Sequence, residues 1–231
     1  MNEYNVPIEE YFPIDGDALS LPAEEEIIEA GLDNPVGTPD LAEMVSPGQR
    51  VLIIVDDNTR TTPAERILPY LLTRLNTAGI SDANIKFLVG LGTHRAMSAK
   101  ELEQKLGKEV YQRYSVYNHD WEKSDDLLNI GKTTSGIDIW INRHLTEADF
   151  IIGLGHIVPH RVAGYSGGGK IIQPGLCGPA TTAQTHWLSA YYTAADIRIP
   201  ETQKPPRRPG SAPIIQRLTS WAARITLCGG K

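Results

Sequence analysis

The chain has 231 residues, is 41% hydrophobic and carries a formal net charge of −6. That is material for one compact domain with a sizeable core, or for one domain and a tail. The acidic balance, the absence of a Lys/Arg stripe and an aromatic content of only 7% argue against a nucleic-acid partner. No apolar run approaches the roughly 20 residues of a membrane-spanning helix. Met1 to Glu10 is acidic and lacks the apolar stretch of a secretory signal. Cys177 and Cys228 form neither a disulfide framework nor a metal-ligand spacing. The expectation is a cytoplasmic protein with neither nucleic acid nor membrane as partner.

In chain order, Ala23 to Leu32 reads as a short acidic helix closed by the Asp33-Asn34-Pro35 turn, and Asp40 to Met44 as another. Val51 to Val55 is an unbroken apolar run of the kind found in strands buried on both faces. It runs into the polar segment Asp56-Asp57-Asn58-Thr59-Arg60. A helix is then expected with Thr62 as N-cap and Pro63 as its first residue, kinked at Pro69 and stopped by Gly79. Its apolar positions, Ala64, Ile67, Leu68, Leu71, Leu72 and Leu75, fall on one face.

Ile85 to Val89 is a second buried strand, ending in Gly90-Leu91-Gly92-Thr93-His94-Arg95. Ser98 and Glu101 make a capping box for the next helix. Val110 to Tyr114 continues as helix and Ser115 to Tyr117 as a short strand. Leu127 to Ile130 and Ile137 to Ile141 pattern as a β-hairpin, and Phe150 to Ile152 opens a further buried strand ending in Gly153-Leu154-Gly155-His156. Alternating strands and helices predict an α/β, Rossmann-like three-layer domain with a mostly parallel sheet. In such sheets ligands bind at the carboxyl ends of the strands, where the turns bearing Arg60, His94 and, after a longer loop, His160 converge. Residues 1–195 are read as this domain, and residues 196–231, dense in Pro, Arg and Lys before an amphipathic stretch from Ile214 to Leu227, as a poorly ordered tail.

The segment from His160 to Lys170 is glycine-rich at Gly164, Gly167, Gly168 and Gly169, which lets backbone approach a ligand and aim N–H groups at an anion. Gly164 to Lys170 matches G-x-x-x-x-G-K, but Ile171 stands where a phosphate loop needs a hydroxyl, and no strand leads directly into the segment. A magnesium-dependent nucleotide enzyme is therefore the weaker reading. Gly178-Pro179 opens a helix that carries His186 about two turns in.

The pattern His160-x-x-Ala163-Gly164-Tyr165-Ser166-Gly167-Gly168-x-Lys170, followed by Pro174-Gly175 and His186, resembles the signature of the nickel-dependent lactate racemase family. Asp57-Asn58-Thr59-Arg60 and Gly92-Thr93-His94-Arg95 resemble that family's two earlier site segments, in the same order. The resemblance runs from about Leu32 to about Ala195. It implies racemisation or epimerisation of a small 2-hydroxy acid by reversible hydride transfer to a nickel-pincer nucleotide. This nicotinic-acid-derived cofactor would be attached to Lys170, with nickel bound by His186 and the phosphate cradled by Ser166, Gly167, Gly168 and Gly169. His94 and His160 would be the acid/base pair, Arg60 would hold the substrate carboxylate, and Asp57 would support the substrate site. Cofactor-synthesis enzymes would be partners.

Two departures accompany the resemblance. Gly169 stands where the family's characterised members carry a basic residue, and the family's second domain has no counterpart in residues 196–231. A non-catalytic nucleotide- or anion-binding fragment is the alternative. Of the remaining candidates, His156 is expected behind the site, His119 and His144 as ordinary surface or turn residues, Asp56 as a solvated or capping carboxylate, and Cys177 as a small buried hydrophobe.

Overall fold

The computed structural model describes residues 22–133, 136–160 and 163–194. The expected tail at 196–231 lies outside them. Helices α1 (Glu24–Asp33) and α2 (Leu41–Met44) lead to strand β1 (Val51–Asp56), helix α3 (Ala64–Thr77) and strand β2 (Ile85–Gly90). Helices α4 (Ala99–Leu106) and α5 (Lys108–Arg113) follow, then β3 (Ser115–Asn118), β4 (Leu127–Lys132) and β5 (Asp138–Asn142). The chain continues through α6 (His144–Glu147), β6 (Phe150–Leu154), β7 (Pro159–His160), β8 (Gly164–Tyr165) and α7 (Pro179–Ala194).

The central sheet has the order β3-β2-β1-β6, and every pairing in it is parallel. Sequence alternation assigns its two faces. Val51, Ile53 and Val55 point to a core shared with Leu68, Leu72 and Leu75 of α3 and Leu102 and Leu106 of α4. Leu52 and Ile54 point to the other core, shared with Ile139, Ile141, Leu145, Ile172 and Leu176. The topology explains the division. From β1 the chain steps outward through helices to β2 and β3, then returns to pair β6 on the opposite side of β1. With right-handed crossovers, that reversal sends the connection across the opposite face. The β4–β5 antiparallel hairpin and α6 therefore cover it. The expected α/β class and parallel sheet are present, but a hairpin supplies much of the third layer.

Two local expectations need correction. The α3 helix begins at Ala64, with Pro63 at the cap position and no side-chain cap; the Thr62 hydroxyl instead donates to Asp56. A partner six residues back competes successfully for the hydroxyl that the local pattern assigns to capping. His119, expected as an ordinary surface or turn residue, is buried at 1% exposure. Its Nε2 lies 3.2 Å from the Cys177 carbonyl and its Nδ1 lies 3.1 Å from Asn142 Nδ2, so the neutral ring joins the end of β3 to β5 and the segment before α7. The capping box at Ser98 and Glu101 forms as expected, and Cys177 is a buried thiol pushed up to about 12 by burial.

Burial holds the His119 imidazole below its ordinary value of 6.5, against smaller opposing effects of the Cys177 carbonyl and Asp120. Below about pH 6.5 the unfolded chain binds a proton that the folded chain resists, so stability should fall as the solution is acidified through that range. In urea unfolding at several pH values, His119→Asn should show a shallower loss below pH 6.5 than the parent. Equal slopes would remove His119 as the cause.

Candidate active site

The order in which strands are added reverses at β1, between its partners β2 and β6, and such a switch point is where an open parallel sheet leaves a crevice. The turns after β1, β2 and β6 and the start of α7 enclose a cavity of about 580 Å³. Asp57, Arg60, His94, His160, Ser166, Gly167, Lys170 and His186 all line it. Gly168 and Gly169 do not, although they belong to the same turn. His156, expected behind the site, lines it as well, with Nδ1 3.2 Å from the Thr61 hydroxyl.

Asp57 is buried at 3% exposure, directly beyond the last residue of β1. One carboxylate oxygen accepts from the Thr59 backbone N–H at 3.0 Å and the Thr59 hydroxyl at 2.5 Å; the other lies 2.5 Å from His94 Nδ1. Burial pushes the carboxyl up, but the bonds from Thr59 and His94 outweigh it and hold it below the ordinary range. An ionised carboxylate only accepts, so His94 Nδ1 carries the proton and the neutral ring's Nε2 is an acceptor. His160 has the opposite arrangement. Its Nδ1 accepts from the Ala163 N–H at 3.1 Å, which leaves the proton of the neutral ring on Nε2. His186 Nδ1 lies 2.7 Å from the Thr182 carbonyl, so it donates there and leaves the Nε2 lone pair for a ligand.

Lys170 lies in the 3₁₀ turn Gly168–Ile171. Burial, and after it the Arg60 guanidinium, hold its amine below the ordinary lysine range, which favours the nucleophilic free base. Among the described residues no carboxylate pairs with Arg60. Ser166 spends its hydroxyl on the β7–β8 hairpin, donating to the His156 carbonyl at 2.6 Å and accepting from the Val158 N–H at 2.9 Å.

The glycines act in more than one way. Gly167 has φ 72°, and a Cβ there would lie 2.9 Å from Ile157 Cγ1. Gly175 serves close packing: a Cβ would fall 2.0 Å from the Ile171 carbonyl oxygen. Its own carbonyl accepts from the Gly92 N–H at 2.8 Å, joining the Lys170 segment to the His94 turn. The phosphate-loop geometry is absent, because Gly164 and Tyr165 form a two-residue strand paired with Pro159 and His160, and α7 starts only at Pro179.

Lys105 and Glu101 of α4 were not among the candidates read from the sequence. Lys105 is buried and pairs with Asp56 at 2.6 Å, so Asp56 is no solvated carboxylate. The available signal was a lysine on the inward face of α4, between Leu102 and Leu106.

Residues 16–196 match the lactate racemase N-terminal domain family, more than half of the chain. The chain belongs to that family. Lactate racemase from Lactiplantibacillus plantarum is 36% identical over 164 residues, covering 71% of this chain and 38% of the relative. Lactate racemase from Thermoanaerobacterium thermosaccharolyticum is 36% identical over 154 residues, covering 67% and 36%. The apoprotein structure of lactate racemase from the latter organism superposes with a TM-score of 0.73 at 30% identity, covering 87% of this chain and 46% of that one. A crystal structure of a Thermotoga maritima protein gives 0.68 at 25% identity, covering 87% and 47%. The chain thus spans less than half the length of these lactate racemase relatives. Among the described residues no helix is long and apolar enough to cross a membrane.

The contact at Gly175 predicts that Gly175→Ala lowers stability by ~2 kcal/mol or more, because the methyl meets backbone rather than a movable side chain. Denaturant unfolding measures it, and a midpoint unchanged from the parent would contradict the packing argument.

Proposed function

We propose that this chain carries the acid/base and cofactor-binding half of a racemase or epimerase for a small 2-hydroxy acid such as lactate. The single observation that carries the reading is the convergence of Arg60, the Asp57–His94 pair, His160, Lys170 and His186 on one cavity. The family supports a lactate racemase-like activity; the mechanism, the cofactor and the residue roles are our inference.

The residues present suit a nickel-pincer nucleotide tethered to Lys170. Among the described residues no cluster of three or more His, Cys, Asp or Glu could hold a metal ion. Metal at His186 would therefore need donors brought by an organic group. His186 has an available Nε2, and the Lys170 amine is the nucleophile to which such a group could be joined. Gly167, which lines the cavity, would lie along its phosphate; Ser166 would hold that turn in shape, and Gly168 and Gly169 would have to turn toward the cavity to join it. When bound, the group would supply the hydride acceptor that lets a barely acidic C–H be inverted.

The chain's own residues would do the rest. Arg60 would grip the substrate carboxylate through two parallel N–H donors. His94 Nε2 would take the hydroxyl proton, and the ionised Asp57 would stabilise the imidazolium that results. His160 would donate a hydrogen bond from Nε2–H to the substrate oxygen from the other wall, without giving up the proton. To serve as base for the opposite enantiomer, its ring would have to exchange the Ala163 bond for a protonated Nδ1.

Co-expression of the full chain with cofactor-synthesis enzymes tests this. Intact mass measurement should show an adduct that disappears in Lys170→Ala, and nickel content should fall in His186→Ala. The loaded chain should interconvert D- and L-2-hydroxy acids. His94→Ala should lose about 10² to 10⁴ of the rate, and Asp57→Asn about 10- to 100-fold. An adduct without turnover would favour the non-catalytic nucleotide-binding reading. Absence of both adduct and nickel would refute the cofactor assignment.

A further inference from the structure

The residues that line the cavity come from separate turns, and helix α4 touches those turns with two side chains one helical turn apart. Glu101 accepts from Asn58 Nδ2 at 2.8 Å, in the turn after β1. It also receives both Arg95 guanidinium nitrogens, at 2.9 and 2.6 Å, in the turn after β2. Asn58 adjoins Asp57, and Arg95 adjoins His94. Glu101 therefore bridges the neighbours of the two residues whose side chains meet as the Asp57–His94 pair. It closes the capping box as well, accepting from the Ser98 N–H at 2.8 Å, so its own position is held by the helix start.

Four residues on, Lys105 extends its buried amine beneath the first turn. It pairs with Asp56 at 2.6 Å and donates to the carbonyls of Arg60 at 3.2 Å and Thr62 at 3.1 Å. Asp56 in turn accepts from the His156 N–H at 3.3 Å, in the turn after β6. The turns at the ends of all three strands are thus tied to one Glu/Lys pair at i and i+4.

We infer that Glu101 and Lys105 are positioning residues: together they set the register between the turn carrying Asp57 and Arg60 and the turn carrying His94. A helix cap needs only the Ser98 contact, and a core lysine has no packing reason to replace an apolar residue on the inward face. The partners of both side chains beyond those needs lie on the site turns. Removing Glu101 frees Asn58 and Arg95 at once. Removing the Lys105 amine leaves the Asp56 carboxylate without its ion-pair partner and two carbonyls without their shared donor, so the Arg60 carbonyl loses its contact with α4. The catalytic consequence rests on the function proposed above; the positional claim does not.

The test uses the full chain with ¹⁵N-labelled histidine and reads, at low temperature, the His94 Nδ1–H resonance, shifted downfield by its hydrogen bond to Asp57. Glu101→Ala and Lys105→Met should each lose this resonance at a temperature where circular dichroism shows the fold intact. Leu102→Ala is the control, since it weakens the core from the same helix without removing a polar contact to a site turn. It should keep the resonance. Glu101→Gln, which retains an acceptor for Asn58, should preserve more of it than Glu101→Ala. If Lys105→Met does not fold, Glu101→Ala and Asn58→Ala decide. The proposal is overturned if the resonance persists in the folded Glu101 and Lys105 variants, or disappears equally in Leu102→Ala. In chains that racemise, Glu101→Ala should lower kcat and Lys105→Met should raise KM, each on the order of tenfold or more. A parent chain that shows the resonance but no racemisation would count against the functional reading alone.

Discussion

β1 is bonded in parallel to β2 along its whole length and to β6 along Val51 to Val55. Everything in the cavity takes its place from that double pairing. With both edges occupied and both faces buried, the strand has no freedom to slide, because a one-residue slip would exchange its two apolar faces. Its end is therefore a fixed point from which Asp56 and Asp57 project. The parallel neighbours deliver Gly90 and Leu154 at the same level, so turns distant in sequence open onto a common edge. A polar site here needs no polar interior: the core stops where the register stops.

Electrostatics at this edge is graded by burial. Asp57 stays ionised despite burial because two residues donate to it. The Lys170 amine, lacking comparable compensation, moves toward its neutral form. One short stretch of surface thus presents a fixed negative charge, a guanidinium and an amine with reduced charge.

Much of the frame was readable without coordinates, for a physical reason. Strands buried on both faces leave continuous apolar runs, such as Val51 to Val55 and Ile85 to Val89, and the polar turns following them mark the edge directly. Arg60, His94 and His160 stood out through the convergence of those turns, whereas the roles expected of Lys170 and His186 came from the family resemblance. What escaped were properties set by distant partners. Lys105 reads as an ordinary helical lysine until Asp56 is placed beneath it. His119 reads as a turn residue until Asn142 and the Cys177 carbonyl close around it. Gly175 reads as half of a Pro-Gly turn, whereas its missing side chain makes room for the Ile171 carbonyl. Thr62 shows the same limit in miniature, since a local cap rule cannot foresee a competing carboxylate at the end of a strand.

The hydrogen bond from Gly92 to the Gly175 carbonyl divides the cavity walls into two kinds. The His94 turn and the segment leading from Lys170 are stitched together through main chain, so they form a common slab against the sheet. His160 belongs to the two-residue β7–β8 ribbon, which among the described residues pairs as strand with itself and stands apart from the central sheet. The architecture thus sets two walls of the cavity by a shared main-chain bond and the third by a separate ribbon.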